Sequence, residues 1–159
     1  MQKLWFIIVL WGAKFGLFLC KLLGKNGTYI SGAFALKLQK NFITHFTNVD
    51  PEKTVFITGT NGKSTSNNLI VHALRHAGLK VTTNLEGANL ITGVATALIR
   101  DSSLLGRVNG DYLIFETDER FFRKFMHNFQ RRIFVSRIFR RIRFSVMASR
   151  ISSTRRSRK

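Results

Sequence analysis

The chain has 159 residues and one cysteine, Cys20. An internal disulfide is therefore excluded, and no metal cluster can be built on thiolates; such sparing use of cysteine fits a reducing cytoplasm. Acid is also scarce, with 8 Asp+Glu against 26 Lys+Arg and a net charge of +18. The shortage is local. Residues 121–159 contain no Asp or Glu, and no Gly, Pro or Leu either, whereas residues 1–120 contain 17 Leu. Folded domains need turn residues and use leucine freely, so two compositions meet near Arg120. Residues 1–120 carry 13 basic and 8 acidic side chains, and the remaining 13 basic residues all lie beyond them. A whole-chain charge of this size suggests nucleic acid or an anionic membrane. Its concentration in the tail removes that implication for the first 120 residues, and no nucleic-acid partner is expected for them.

Long apolar runs are few, and the main one is interrupted. "LWFIIVLWGAKFGLFLCKLL", residues 4–23, is about long enough to cross a bilayer, but Lys14 sits at its middle. A central lysine costs a spanning helix about 3 kcal/mol. Three readings stand: a helix packed on the domain or a partner, an interfacial membrane helix, or a true span or signal. "GKNGTYISG" (24–32) is a loop by its glycines, and "AFALKLQKNFITHF" (33–46) predicts a short helix. Residues 1–45 thus form an apolar helical region ahead of an ordered segment, 46–120.

Alternation is clearest from residue 54 onward. "TVFIT" (54–58) predicts a buried strand. A glycine-bearing loop follows, and then a helix starting near Ser64, with Leu69, Ile70, Ala73, Leu74 and Ala77 on one face and Gly78 as its stop. "KVTTN" (80–84) predicts a second strand, 88–100 a second helix, and "DYLIFET" (111–117) a third strand. The order β-loop-α-β-α-β predicts an α/β fold with a parallel sheet, whose ligands bind beyond the carboxyl ends of the strands. Three strands with one face thinly covered would be only marginally stable.

The loop reads "TGTNGKST", Thr58 to Thr65. Gly59 and Gly62 allow main-chain N–H groups to close on an anion, and the following helix adds its positive end. Lys63 suits outer phosphates, and the Ser64 hydroxyl suits Mg²⁺. Thr60 and Asn61 can orient the loop through side-chain hydrogen bonds. The first glycine of the general P-loop pattern is missing, because Ile57 stands there; the match is to G-x-x-G-K-[ST]. An ordinary glycine-rich β-α turn is the competing reading. His72 and His76 have helical i, i+4 spacing without an acidic neighbour, which reads as helix surface or packing and not as a metal site.

At these residues the chain resembles the Mur ligase family, whose members join an amine to a carboxylate through an acyl-phosphate made from ATP. Folylpolyglutamate synthases share that fold, but their loop usually ends in GKGS where this one ends in GKST. "LLGKNGTYISGAFALKLQKNF", "TTNLEGANLITGVATAL" and "DYLIFETDER", together with the loop, resemble the ligase-like subunits of lipid II isoglutaminyl synthases, over residues 15–120. The resemblance implies a P-loop Mur-ligase-type ATPase domain with ATP and Mg²⁺ as cofactors. It implies Gly59, Thr60, Asn61, Gly62, Lys63, Ser64 and Thr65 as nucleotide-binding residues, Lys63 and Glu116 as catalytic, and Ser64 and Glu116 as the magnesium pair. Asp118 and Glu119 share the last block. Asn84, Gly87 and Asn89 are candidates for the acceptor side, or serve as turn and cap residues. The implied reaction activates the D-glutamate α-carboxylate of lipid II for amidation to isoglutamine. A GatD-type glutamine amidotransferase is the implied partner. The implied site of action is the cytoplasm, at the inner face of the membrane if the first helix touches it.

The resemblance ends at Arg120. For 121–159 three readings stand: a frameshift product, a genuine basic tail for nucleic acid or anionic lipid, or a basic amphipathic helix for a protein partner. On the first, ligation by this chain is not expected. Another Mur-type amino-acid ligase, or a small basic binding protein acting through its tail, are the alternative functions.

Overall fold

A computed structural model describes residues 2–24, 29–59, 61–84, 90–118 and 134–137. Helix α1 (Gln2–Leu22) comes first, then α2 (Ile30–Leu38) and a 3-10 turn, Phe42–His45. Strand β1 (Thr54–Thr58) leads through the glycine loop to α3 (Lys63–His76). Then come β2 (Val81–Thr83), α4 (Ile91–Asp101), β3 (Tyr112–Glu116) and β4 (Phe134–Arg137). The helix expected over 33–46 is instead α2 and the 3-10 turn. The α2 pattern ends at Leu38, because Gln39 takes an extended conformation (φ −142°, ψ 102°).

The sheet is parallel with order β2-β3-β1-β4. β1 pairs with β3 from Thr54↔Leu113 to Ile57↔Glu116, and with β4 from Val55↔Phe134 to Thr58↔Arg137. Within the segment expected to carry no family structure, four residues therefore form a strand. A strand beside β1 satisfies main-chain groups that an open edge would leave unpaired, and Phe and Val favour the pleated state. Glu119 and the rest of 121–159 lie outside the described residues.

Alternation along the strands divides the core in two. Ile57 and Ile114 point to one face, where they meet Val71 and Leu74 of α3 and Val81 of β2. Phe56, Leu113 and Phe115 point to the other, into a larger core with α4, α2, the 3-10 turn and α1. The expected thin cover on one face is thus corrected: helices lie on both. The first 45 residues supply the missing layer by sharing that second core. Phe6 of α1 packs on Phe42 and Phe46 with ring centroids 5.1 and 5.2 Å apart. Phe56 and Phe115 stack across β1 and β3 at 5.5 Å.

α1 buries Phe6, Val9, Leu10 and Ala13. Lys14, the residue that argued against a span, donates to the carbonyls of Ile99 and Ser102 at 2.5 and 2.6 Å. Those oxygens end α4, where a helix leaves carbonyls without intrahelical donors and concentrates negative partial charge. The interrupting lysine is therefore the clamp between α1 and α4. This is the geometry of a helix packed on its own domain.

Candidate functional site

The sheet order points to one end of the sheet. The connection leaving β1 runs past β3 to β2, and the strand after β3 lies beyond β1 on the opposite side. In open α/β sheets ligands usually sit beyond the carboxyl ends of neighbouring strands whose successors lie on opposite sides, here β1 and β3. Thr58 and Thr117 reach that end, as does Glu116, and the glycine loop leaves it.

The loop is shaped by two backbone positions that favour glycine. Gly59 has φ 153° and Gly62 φ 74°. A Cβ on Gly62 would meet no atom within 4 Å, and one on Gly59 only the Asn61 carbonyl at 4.0 Å. Space beside both glycines is thus open, and conformation is what demands glycine there. Gly62 is the N-cap of α3 and, being glycine, brings no side-chain cap to that end; a helix N-terminus presents its first-turn N–H groups and positive partial charge toward an anion. The Lys63 ammonium folds back over the loop and donates to the Gly59 carbonyl at 2.5 Å. Asn61, Ser64 and Thr65 are exposed on the same turn. Thr60 lies outside the described residues.

Glu116 ends β3, opposite Ile57 in register. It shares the side of the strand that carries Ile114, and Ile114 packs in the α3 core. Strand parity therefore puts the Glu116 carboxylate on the face from which α3 rises, the face of Ser64. Its backbone is held at both ends of one amide: Asn84 Nδ2 donates to Glu116 O at 2.8 Å, and Glu116 N donates to Asn84 Oδ1 at 2.9 Å. Asn84, expected on the acceptor side, is buried and spends these side-chain atoms extending the β2–β3 ladder. Gly87 and Asn89, the other acceptor-side candidates, lie outside the described residues. Asp118 follows two residues after Glu116, half-buried.

Three polar residues at this end were not singled out from sequence. Thr58 and Thr117 are 5% and 6% exposed, and their hydroxyls have no hydrogen-bond partner among the described residues. Asn67, fully buried on α3, leaves its Oδ1 similarly unmatched while its amide reaches Thr83 Oγ1 at 3.5 Å. Buried polar atoms normally find partners; by strand alternation Thr58 and Thr117 share the side of Phe56 and Phe115, opposite the α3 face that carries Asn67, so the three oxygens do not form one cluster. Both threonines belong to blocks of family resemblance, which was the available signal. Hydroxyls inside apolar strand runs are otherwise indistinguishable from β-formers. His72 and His76 are both exposed on α3, and no group of three metal-ligating side chains occurs among the described residues.

The donor set fits magnesium-bound phosphate: a hydroxyl at Ser64, a carboxylate at Glu116, an ammonium at Lys63, and a glycine cradle at a helix N-terminus.

Comparison with curated proteins gives one consistent likeness. The chain is 36% identical over 83 residues to the MurT subunit of lipid II isoglutaminyl synthase (glutamine-hydrolyzing) from Staphylococcus aureus strain COL. The same identity and length hold for the subunit from strain N315. It is 32% identical over 102 residues to the MurT subunit from Streptococcus pneumoniae strain ATCC BAA-255 / R6. These matches cover 52% to 64% of this chain but 19% to 22% of those proteins. The chain thus spans about a fifth of the length of the curated relatives it matches. No family model and no solved structure matches. Over this region the chain is MurT-like.

Proposed function

We propose that residues 54–118 form the magnesium-nucleotide site of a MurT-like ligase subunit, a P-loop site of the Mur ligase type. The observation that carries the reading is the Ile57↔Glu116 register. It sets a carboxylate at the end of one strand beside the glycine loop that leaves its neighbour. The MurT likeness supports the ligase class over other uses of such a loop.

In this reading the loop N–H groups and the α3 N-terminus bind the phosphates. Lys63 exchanges its contact with the Gly59 carbonyl for one with an outer phosphate. Ser64 and Glu116 would hold Mg²⁺. When bound, magnesium-ATP would supply the phosphoryl group that turns a carboxylate into an acyl phosphate, whose acyl carbon an amine attacks with inorganic phosphate as the leaving group. Asn84 positions Glu116 and keeps the carboxylate on the α3 face. The substrate in this proposal is the D-glutamate α-carboxylate of lipid II, and ammonia comes from a GatD-type glutaminase partner. The site of action is the cytoplasmic face of the membrane.

The test is magnesium-ATP affinity of the full chain against Lys63→Ala and Glu116→Gln. Loss of a charge-assisted contact costs about 1.5–3 kcal/mol, or about 10- to 100-fold in affinity. Each variant should weaken binding by that order, and Glu116→Gln should do so only with magnesium present. Equal affinity in all three proteins, at salt that screens the basic tail, would mean that the loop does not bind the nucleotide.

A further inference from the structure

α1 is apolar on both sides. Opposite its buried residues, Leu4, Ile8, Trp11, Phe15, Phe18 and Leu22 form one stripe at alternating spacings of four and three, each more than 50% exposed. The patch continues into the turn beside it: Trp11 Nε1 donates to the Leu104 carbonyl at 2.9 Å, and Leu104 and Leu105 are exposed there. Of the large apolar residues exposed among the described residues, only Leu69 lies away from α1, α2 and this turn. Contiguous exposed apolar surface of this kind marks an interaction site.

Three observations identify the occupant. First, residues 1–49 contain six lysines and no acid, the first carboxylate being Asp50. A second copy docking here would set lysine against lysine, whereas anionic headgroups complement the charge. Second, Lys3 and Lys21 lie exposed near the two ends of α1. Lys14, at its middle, has its ammonium turned inward onto Ile99 and Ser102. Charge thus lies at the ends of the stripe and not along it, the layout of an interfacial helix whose lysines reach back to the headgroups. Third, the chain's two tryptophans, Trp5 and Trp11, are both exposed on this helix. Trp favours the boundary between hydrocarbon and water, and the Trp11 donor is already satisfied.

We infer that the outer face of α1, with the Leu104–Leu105 turn, lies in the surface of an anionic bilayer, parallel to it. The inner face of α1 belongs to the core, so the helix does not span. This inference stands apart from the nucleotide reading.

The tryptophans make the test specific, because residues 121–159 contain none. The full chain is mixed with phosphatidylcholine vesicles with and without phosphatidylglycerol, the acyl chains brominated. With phosphatidylglycerol, Trp emission shifts to the blue and is quenched by bromine. Quenching persists at salt concentrations that strip purely electrostatic binding. An Ile8→Glu/Phe15→Glu variant, altered at two exposed positions, loses about tenfold or more in partitioning with its circular dichroism unchanged. Vesicle binding without bromine quenching would assign the contact to the basic tail and overturn the inference. So would a blue shift that needs no vesicles and grows with protein concentration, which would assign the face to a second copy.

Discussion

At the scale of single residues, two side chains hold the structure through main-chain partners. Asn84 grips both backbone groups of Glu116. Asn84→Ala would leave a part-buried N–H and C=O of Glu116 without these partners, at about 1 kcal/mol or more. We expect a lower unfolding midpoint and weaker magnesium dependence of nucleotide binding; Asn84→Asp, which keeps one acceptor, should recover part of the stability. Unchanged magnesium dependence in the alanine variant would separate Asn84 from Glu116. Lys14 is the other such residue. Burial lowers its pKa from 10.5, with the Asp101 carboxylate opposing. Between that lowered value and 10.5 the unfolded chain binds more protons than the folded one. Stability therefore rises with pH across that window and loses this contribution as pH falls through the folded value. Denaturant midpoints measured through the window should climb in the native chain and stay flatter in Lys14→Met. From sequence, Lys14 was legible only as an interruption, because what it caps comes 85 residues later.

Elements were easier to read where periodicity was strong. β1 matches its expected bounds, and α3 begins one residue before Ser64, because strand, glycine loop and helix each carry a local signal. The boundary after Leu38 was missed, since Gln39 carries no turn signature although its backbone is extended. The α2–α4 crossing was not legible at all. Gly32 sits so close to α4 that an added Cβ would lie 2.0 Å from the Thr92 carbonyl and 2.5 Å from Thr96 Oγ1. The Gly32 N–H donates to Thr96 Oγ1 at 3.0 Å. Backbone cannot yield as a side-chain tip can, so Gly32→Ala should destabilise by about 1–3 kcal/mol or more. Gly24→Ala, where nothing lies within 4 Å, should cost less through contacts, although its φ of 65° also favours glycine. A thermal-melt comparison of the two separates overpacking from backbone preference. Equal losses would contradict the close approach of α2 to α4.

For the whole molecule, the parallel α/β class followed from element order alone, while the layering did not. Phe6, Phe42 and Phe46 read as isolated apolar positions in a sequence, yet they join residues 1–45 to the sheet. The candidate site was legible in its loop and in Glu116, because those residues are contiguous or end a strand. Thr58, Thr117 and Asn67 were not, because only the fold buries their polar atoms. Charge belongs to this scale as well. The 13 basic residues of 121–159 attract any polyanion, ATP included, with steep salt dependence, so bulk affinity mixes two sites. Hydrogen exchange resolved along the full chain separates them. Magnesium-ATP should slow exchange across residues 59–66 and at the end of β3, and Lys63→Ala should abolish that protection. If the nucleotide slows exchange only beyond residue 120, the loop holds no phosphate and the central claim is wrong.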